Sequence, residues 1–210
     1  MAFELWLAFV AASTALLLIP GPTILLVLSY ALSQGRRVAV ATAVGVAVGD
    51  LIAMSASLAG LGALVLASAT LFTALKWVGA AYLIYLGVKL FRSAPNAKVA
   101  ILSDVVDLPM SKVFSHAAAV TALNPKSIVF FIAFVPQFIT TETALLPQFS
   151  ILIATFVCLA AFNALVYALL ADKLREKISK PAVIVWLTKF GGAALIAMGV
   201  ATATFRRGTV

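Results

Sequence analysis

Two charged residues inside long apolar runs are the side chains best suited to chemistry in this sequence. Asp50 lies about a dozen residues from the nearest polar connection, and Lys126 lies near the start of a later apolar run. If these runs cross a membrane, a charge at mid-span costs at least about 2.5–3.5 kcal/mol on insertion scales. Burial disfavours a charged Asp50, whereas a nearby Lys126 favours it. The two could therefore exchange partners as protons or substrate arrive, or form a static ion pair.

Proline interrupts two of the apolar runs. Proline lacks an N–H and clashes with the preceding turn, so each interruption frees backbone groups that protein, water or a ligand must satisfy. Transporters use such broken helices to point half-helix N-termini, each carrying about +0.5 of a charge, at an anionic substrate group. Kinks that only shape the helix bundle are the alternative. The predicted site comprises Pro20, Gly21 and Pro22 at the first break and Asn124, Pro125 and Lys126 at the second.

The composition indicates a membrane protein. The chain is 64% hydrophobic and 10% charged, whereas soluble domains are about 45–50% apolar and about 25% charged. A hydrocarbon core of about 30 Å needs roughly 20 apolar residues in a helix, and runs of that length are too long for barrel strands. The sequence therefore predicts an all-α polytopic membrane protein whose first and fourth helices are broken. The six predicted transmembrane helices are about 3–32, 38–67, 70–91, 112–139, 147–171 and 182–204.

The basic residues are distributed unevenly between the two predicted sides. Ten Lys and Arg residues fall in or beside the connections after the first, third and fifth spans, and only Arg206 and Arg207 fall on the other side. The positive-inside rule then predicts cytoplasmic connections and termini outside, although the C-terminal pair argues the other way. The basic residues form no continuous face, so the net charge of +8 does not indicate nucleic-acid binding.

The two halves of the chain resemble each other. A polar connection at about 92–111 separates repeat one, about 1–91, from repeat two, about 112–210, within one transmembrane transporter domain, 1–210. Each half has three predicted spans, an odd number, so the repeats would be inverted relative to each other, as in many secondary transporters. LKWVGAAYLIYLGV and LTKFGGAALIAMGV match at seven of fourteen positions, including Gly79/Gly191, Ile84/Ile196 and Gly87/Gly199; pairing Pro22 with Pro125 lets Asp50 face Asn163.

Three motifs resemble one transporter family over essentially the whole chain. They are PGP in the first span, GRR followed by GVAVGD in the second, and ALNPK opening the fourth. This combination resembles the lysine exporter and homoserine/threonine resistance family of amino-acid exporters. The resemblance implies a multi-pass protein of the bacterial cytoplasmic (inner) membrane that exports amino acids or related metabolites, driven by the proton gradient. A homodimer is compatible with these residues, which do not decide the oligomeric state.

The predicted function is secondary active export, with Asp50 as the proton-coupling residue and Asn163 completing the substrate site. One cation and apolar lining suit a zwitterion with a small or apolar side chain better than lysine or arginine. No cofactor, metal or enzymatic role is predicted, because serine- and zinc-protease motifs are absent from the sequence. A metal-ion exporter would need several converging ligands, yet Cys158 and His116 stand apart from Asp50. That alternative and a non-transporting membrane scaffold remain the competing interpretations.

The predicted orientation can be tested with single cysteines. After Cys158 is replaced, we expect Thr141→Cys to react with an impermeant thiol reagent in intact cells and Ser93→Cys to be protected, because the charge distribution puts them on opposite sides. Labelling after the cells are opened controls for reactivity at both positions. Selective labelling of Ser93→Cys in intact cells would reverse the predicted orientation.

Overall fold

A computed structural model describes residues 2–19, 21–93, 108–140, 143–171 and 181–204, and every element in those ranges is helical. The all-α prediction is therefore confirmed for the described part of the chain. Pro20, Thr141, Glu142, Arg206, Arg207 and most of the predicted polar connection lie outside it. The helices are α1 Phe3–Leu18, α2 Pro22–Gln34, α3 Ala39–Ala67, α4 Ala69–Ser93, α5 Met110–Ala122, α6 Pro125–Val129, α7 Leu145–Leu169 and α8 Pro181–Thr204.

The two predicted helix breaks are present, and at each break a proline begins a new helix. Ile19 and Gly21 are extended, and Pro22 is at the start of α2. Pro125 likewise starts α6 after the N-cap residue Asn124. A proline is favourable at this position because a first-turn N–H has no intrahelical partner. The chain bends by 41° between α5 and the segment Pro125–Phe138.

The helix that begins at Pro125 soon becomes irregular, which the sequence did not suggest. After α6 the chain forms a π-helical turn at Phe130–Phe134 and then a 3₁₀ turn at Val135–Phe138. Pro136 cannot donate a helical hydrogen bond, so a regular α-helix cannot continue through it undisturbed. The wider turn directs several phenylalanines into the core, where they contact rings from α1 and α7. These aromatic residues are Phe9, Phe130, Phe131, Phe134, Phe138 and Phe156.

Among the described residues, three helical stretches are long and apolar enough to cross a membrane: Pro22–Ala63, Thr73–Ser93 and Leu145–Leu169. The bent pair formed by α5 and Pro125–Phe138 would be a fourth. The first stretch cannot be one straight helix, because the start of α2 and Asp50 of α3 line the same cavity. The chain reverses at a short 3₁₀ turn that starts with Gly35, whose φ of 71° suits glycine. The count of six spans stays a prediction.

Close contact between α3 and α5 brings Asp50 to the second break. A Cβ atom built on Gly45 would lie 2.6 Å from the carbonyl oxygen of Phe114, and one on Gly49 would lie 2.5 Å from that of Ala118. Only small residues allow helix backbones to approach so closely within a membrane. On its other side, α3 packs against α7. Asp50, one residue after Gly49, is therefore fixed between the two halves of the chain.

The contact between α4 and α8 has a reciprocal pattern. A Cβ on Gly87 would lie 2.8 Å from the backbone nitrogen of Ile196, and a Cβ on Gly199 would lie 3.1 Å from that of Ile84. Gly87 matches Gly199, and Ile84 matches Ile196, in the alignment of the two halves. The same contact is thus made twice with the halves exchanged, as a two-fold relation between α4 and α8 would require.

Replacing Gly87 should test the α4–α8 contact. In Gly87→Ala the new methyl group would lie 2.6 Å from the backbone oxygen of Gly192, so we expect a loss of about 1–3 kcal/mol of stability from overpacking. Gly60→Ala is the matched control, because a Cβ there meets nothing within 4 Å and a helical Gly→Ala change can add up to about 1 kcal/mol. Unfolding of the purified variants in one detergent measures both. Equal stability of the two variants would contradict the close packing.

Candidate functional site

A small cavity lies where the two helix breaks meet. It measures about 20 Å³ as the space open to the centre of a water-sized sphere, which is room for about one water molecule. It is too small for an amino acid in this conformation, so the site is closed. The lining residues come from five helices and both breaks: Leu16, Leu17, Gly21, Thr23, Ile24, Val46, Asp50, Asn124, Lys126, Ser127, Ala160 and Asn163.

The carbonyl groups at the end of α1 are bound by side chains from the second half of the chain. Lys126 Nζ donates to the backbone oxygens of Leu16, at 3.1 Å, and Ile19, at 2.9 Å. The last carbonyls of a helix lack intrahelical partners and carry a partial negative charge, which suits an ammonium group. On α7, Asn163 Nδ2 donates to Leu17 O at 3.1 Å, and Tyr167 donates to Leu18 O at 3.3 Å. The broken end of α1 is thus held by α6 and α7.

Asn124 joins the second break to the first. Its Oδ1 accepts a hydrogen bond from the backbone N–H of Lys126 at 3.1 Å, which caps α6. Its Nδ2 donates to Thr23 Oγ1 at 3.1 Å, and Thr121 Oγ1 donates to the same oxygen at 3.4 Å. Because Thr23 lies in the first turn of α2, the starts of α2 and α6 adjoin.

Asp50 supplies a carboxylate with unused hydrogen-bonding capacity. Its side chain is 2% exposed, and its Oδ1 atom has no hydrogen-bond partner among the described residues. Lys126 lines the same cavity, but its ammonium group binds the α1 carbonyls. A buried polar atom without a partner is costly and rare in folded proteins. The cavity therefore contains an acceptor that the described residues do not satisfy.

The structure brings most of the predicted site residues together. Gly21, Asp50, Asn124, Lys126 and Asn163 all line the cavity. Pro22 and Pro125 begin the two helices beside it, and Pro20 lies outside the described residues. The roles assigned to these residues stay predictions.

Sequence reasoning missed two threonines and the backbone groups of α1. Thr23 directly follows the PGP motif, which was a usable signal, and Thr121 precedes the second break by a few residues. The α1 carbonyls have no sequence signature, because every residue carries one.

A second polar contact links the two halves away from the cavity. Tyr30 of α2 and His116 of α5 form a hydrogen bond of 2.7 Å between Oη and Nδ1. Tyr30 is buried, whereas His116 is exposed, and neither lines the cavity. Cys158 is exposed on α7. Among the described residues, no three His, Cys, Asp or Glu side chains are grouped so that they could hold a metal ion.

Comparison with known proteins identifies related sequences over the whole chain. The family described as LysE type translocator matches residues 14–205. The chain is 34% identical to a homoserine/homoserine lactone efflux protein of Salmonella typhimurium, over 98% of this chain and 99% of that protein. It is 32% identical to an uncharacterized membrane protein of Vibrio cholerae, over 97% and 98% of the two chains. A leucine efflux protein of Salmonella choleraesuis is 32% identical over 62% of this chain and 61% of its own. No solved structure matches this sequence.

Proposed function

This chain belongs to the LysE type translocator family, and we propose that it exports amino acids or related small metabolites by secondary active transport. The observation that carries the proposal is the cavity between two broken helices, which contains both Asp50 and Lys126. Relatives named for efflux of homoserine, homoserine lactone and leucine support this class of substrate. The substrate would therefore be a zwitterion with a small or apolar side chain, or a close derivative.

The proposed architecture is a pair of inverted three-helix repeats within one domain, with six transmembrane helices. The reciprocal contacts of Gly87 with Ile196 and of Gly199 with Ile84 support it, because an axis relating the repeats predicts them. The two broken helices also occupy matching places in the halves. Substrate sites of such transporters lie between the repeats, where discontinuous helices meet. The cavity is lined by residues of both halves of the chain, which supports this position for the site.

The transport cycle would open and close this cavity. At about 20 Å³ the site is closed to an amino acid, so binding requires movement of one repeat relative to the other. The hydrogen bonds of Asn124 with Thr23 and of Lys126 with Leu16 and Ile19 cross between the repeats. Separating the repeats breaks them, and closing the repeats around the substrate restores or replaces them. This is the alternating access expected for a site at a repeat interface.

Asp50 is the proposed proton-coupling residue. It is buried and lines the cavity, so its protonation state would change the charge next to the substrate. In an antiport cycle, protonation from outside would favour release of the substrate there and return of the empty carrier. Deprotonation towards the cytoplasm would restore the loading state. The substrate and protons would then move in opposite directions.

The remaining parts of the proposal concern position and assembly. We place the protein in the bacterial cytoplasmic membrane, with the termini outside and the basic connections in the cytoplasm. Its partners would be the amino-acid substrate, protons, the surrounding lipid and, in a dimer, a second copy. A carrier of this kind needs neither a cofactor nor nucleic acid.

Export from inverted membrane vesicles tests the function. We expect an imposed pH difference, with the lumen acidic, to drive uptake of at least one labelled amino acid above its external concentration, because the vesicle lumen corresponds to the outside. The panel should include homoserine, homoserine lactone, threonine, leucine and lysine, with vesicles lacking the protein as the control. Movement of substrate only down its own gradient would indicate a channel. The absence of transport for every compound would contradict the proposal.

Asp50→Asn tests the coupling. Asparagine keeps the shape and the hydrogen-bonding capacity but cannot carry the charge, so gradient-driven accumulation should be lost. Some exchange of labelled for unlabelled substrate should remain, because exchange needs no net proton movement. Glu4→Gln is the matched control, since Glu4 is an exposed carboxylate near the start of α1. If Asp50→Asn vesicles still accumulate substrate when a pH difference is imposed, the coupling residue lies elsewhere.

A further inference from the structure

We propose that the carbonyl groups at the end of α1, together with Asp50, form the subsite for the α-ammonium group of the substrate. When the cavity is closed, the Lys126 ammonium binds these carbonyl groups in place of the substrate. This inference rests on the proposed function, since it concerns how the exported amine is recognised. It assigns Lys126 a role different from a simple anion-binding cation. The side chain acts as a tethered substitute for the substrate's ammonium group.

The contacts of Lys126 identify the chemistry of the subsite. A lysine side chain ends in a primary alkylammonium, the same group that an amino acid carries on its α-carbon. Here that group donates to Ile19 O at 2.9 Å and to Leu16 O at 3.1 Å, both at the first break. Leu16 O also accepts from the backbone N–H of Ile19 at 3.3 Å. An ammonium has three donors and no acceptor, so neighbouring carbonyl oxygens suit it and repel a carboxylate. The closed structure therefore already holds an ammonium group at this place.

Asp50 indicates that the subsite has more capacity for a cation than Lys126 uses. Its Oδ1 is buried without a hydrogen-bond partner among the described residues, and its side chain lines the same cavity as Lys126. A carboxylate oxygen in this state favours a ligand that brings N–H donors and positive charge. An ammonium group in the cavity could bind Asp50 and the α1 carbonyls together.

Gly21 is the residue that makes room for Lys126. A Cβ atom built on Gly21 would lie 3.3 Å from Nζ and 3.5 Å from Cε of Lys126. The backbone of Gly21 is extended, with φ of −121°, so its conformation does not itself require glycine. The absence of a side chain in the PGP motif instead allows the lysine ammonium to reach the carbonyls. A methyl group there would crowd the ammonium without removing its charge.

The exchange balances charge at every stage. When the substrate enters, its ammonium group would replace that of Lys126 at the α1 carbonyls and also contact Asp50. The released Lys126 ammonium would then pair with the substrate carboxylate. A zwitterion therefore supplies an ammonium group for Asp50 and the α1 carbonyls and a carboxylate for the displaced Lys126. A ligand without an ammonium group could not displace Lys126, whereas a ligand without a carboxylate could.

Binding of matched derivatives to the purified protein in detergent, measured by isothermal titration calorimetry, separates the two parts of the zwitterion. The probes are L-leucine, L-leucine methyl ester and N-acetyl-L-leucine, with L-homoserine, its lactone and N-acetyl-L-homoserine as a second set. The ester and the lactone keep the ammonium, and the N-acetyl acids keep only the carboxylate. We expect N-acetylation to weaken binding by about 10- to 100-fold, the value of a lost charged hydrogen bond, and esterification to weaken it far less.

Lys126→Met tests whether the Lys126 ammonium competes with the substrate's ammonium group or only binds its carboxylate group. Removing the competitor should strengthen binding of the ester or lactone by about tenfold, because the α1 carbonyls are then left without their charged donor. If Lys126 only binds the substrate carboxylate, the ester affinity should not change and the N-acetyl acid should bind more weakly. Lys189→Met is the matched control, since Lys189 is an exposed lysine of α8 outside the cavity.

A second variant covers the case in which Lys126→Met fails to fold, as judged by size-exclusion chromatography. Lys126→Gln keeps a polar side chain at this position but has no ammonium group, so it should also strengthen binding of the ester, to a smaller extent, because its amide can still donate to the carbonyls. If the wild-type protein binds the N-acetyl acid but does not bind the ester, the inference is overturned without any variant. If amino acids are exported but recognised by their carboxylate, only this inference fails. If no compound is bound or exported, the proposed function fails with it.

Discussion

The contact between the Lys126 ammonium and the carbonyl end of α1 is the interaction on which the rest of this structure depends. A helix broken within a membrane frees carbonyl groups that cannot turn to water. A lysine in the same environment needs partners for its charge. Each group would be costly alone, and the two satisfy each other at 2.9 and 3.1 Å. The second break must therefore lie next to the first, which brings both halves of the chain to one cavity.

Helix packing then decides which other groups reach that cavity. Gly45 and Gly49 allow α3 to approach α5 until their backbones nearly touch, and Asp50 follows Gly49 in sequence. The depth of the carboxylate in the bundle is consequently set by a contact between two small residues and a neighbouring backbone. At the end of α1, Asn163 and Tyr167 of α7 bind the carbonyl groups of Leu17 and Leu18, which Lys126 does not contact. Packing and polar satisfaction are thus coupled at one place.

The same arrangement is suited to motion. The bonds that cross between the halves at the cavity are few, and a typical intramolecular hydrogen bond contributes only about 0.5–1.5 kcal/mol, or about 1.5–3 kcal/mol when one group is charged. Breaking those bonds and forming others in their place therefore has a modest net cost. By contrast, α4 and α8 are packed backbone to backbone at Gly87 and Gly199. The polar contacts at the cavity are exchangeable, whereas α4 with α8, like α3 with α5 at Gly45 and Gly49, is in close backbone contact.

The sequence by itself determined the features that depend on local composition. Long apolar runs predict helices, and Pro22 and Pro125 predict where two of them start. Asp50 and Lys126 lie within apolar runs, so each is predicted to have a partner or a function. These conclusions needed no knowledge of which helices are neighbours. The structure agrees with them for the helical class and the two breaks, and it brings Asp50, Asn124, Lys126 and Asn163 to one cavity. The irregular turns around Pro136 were missed, because the backbone can absorb a proline in several ways.

Only the tertiary structure decided what each polar group contacts. Lys126 was expected to contact an anion or Asp50, and in the structure its ammonium group binds the backbone of residues more than a hundred positions earlier. A carbonyl oxygen has the same identity in every residue, so its availability depends on where a helix ends and on what packs there. The unpartnered oxygen of Asp50 and the closed state of the cavity are likewise properties of the assembled bundle. Local patterns determine the elements and their charges, and the distances between remote segments determine which of those charges meet.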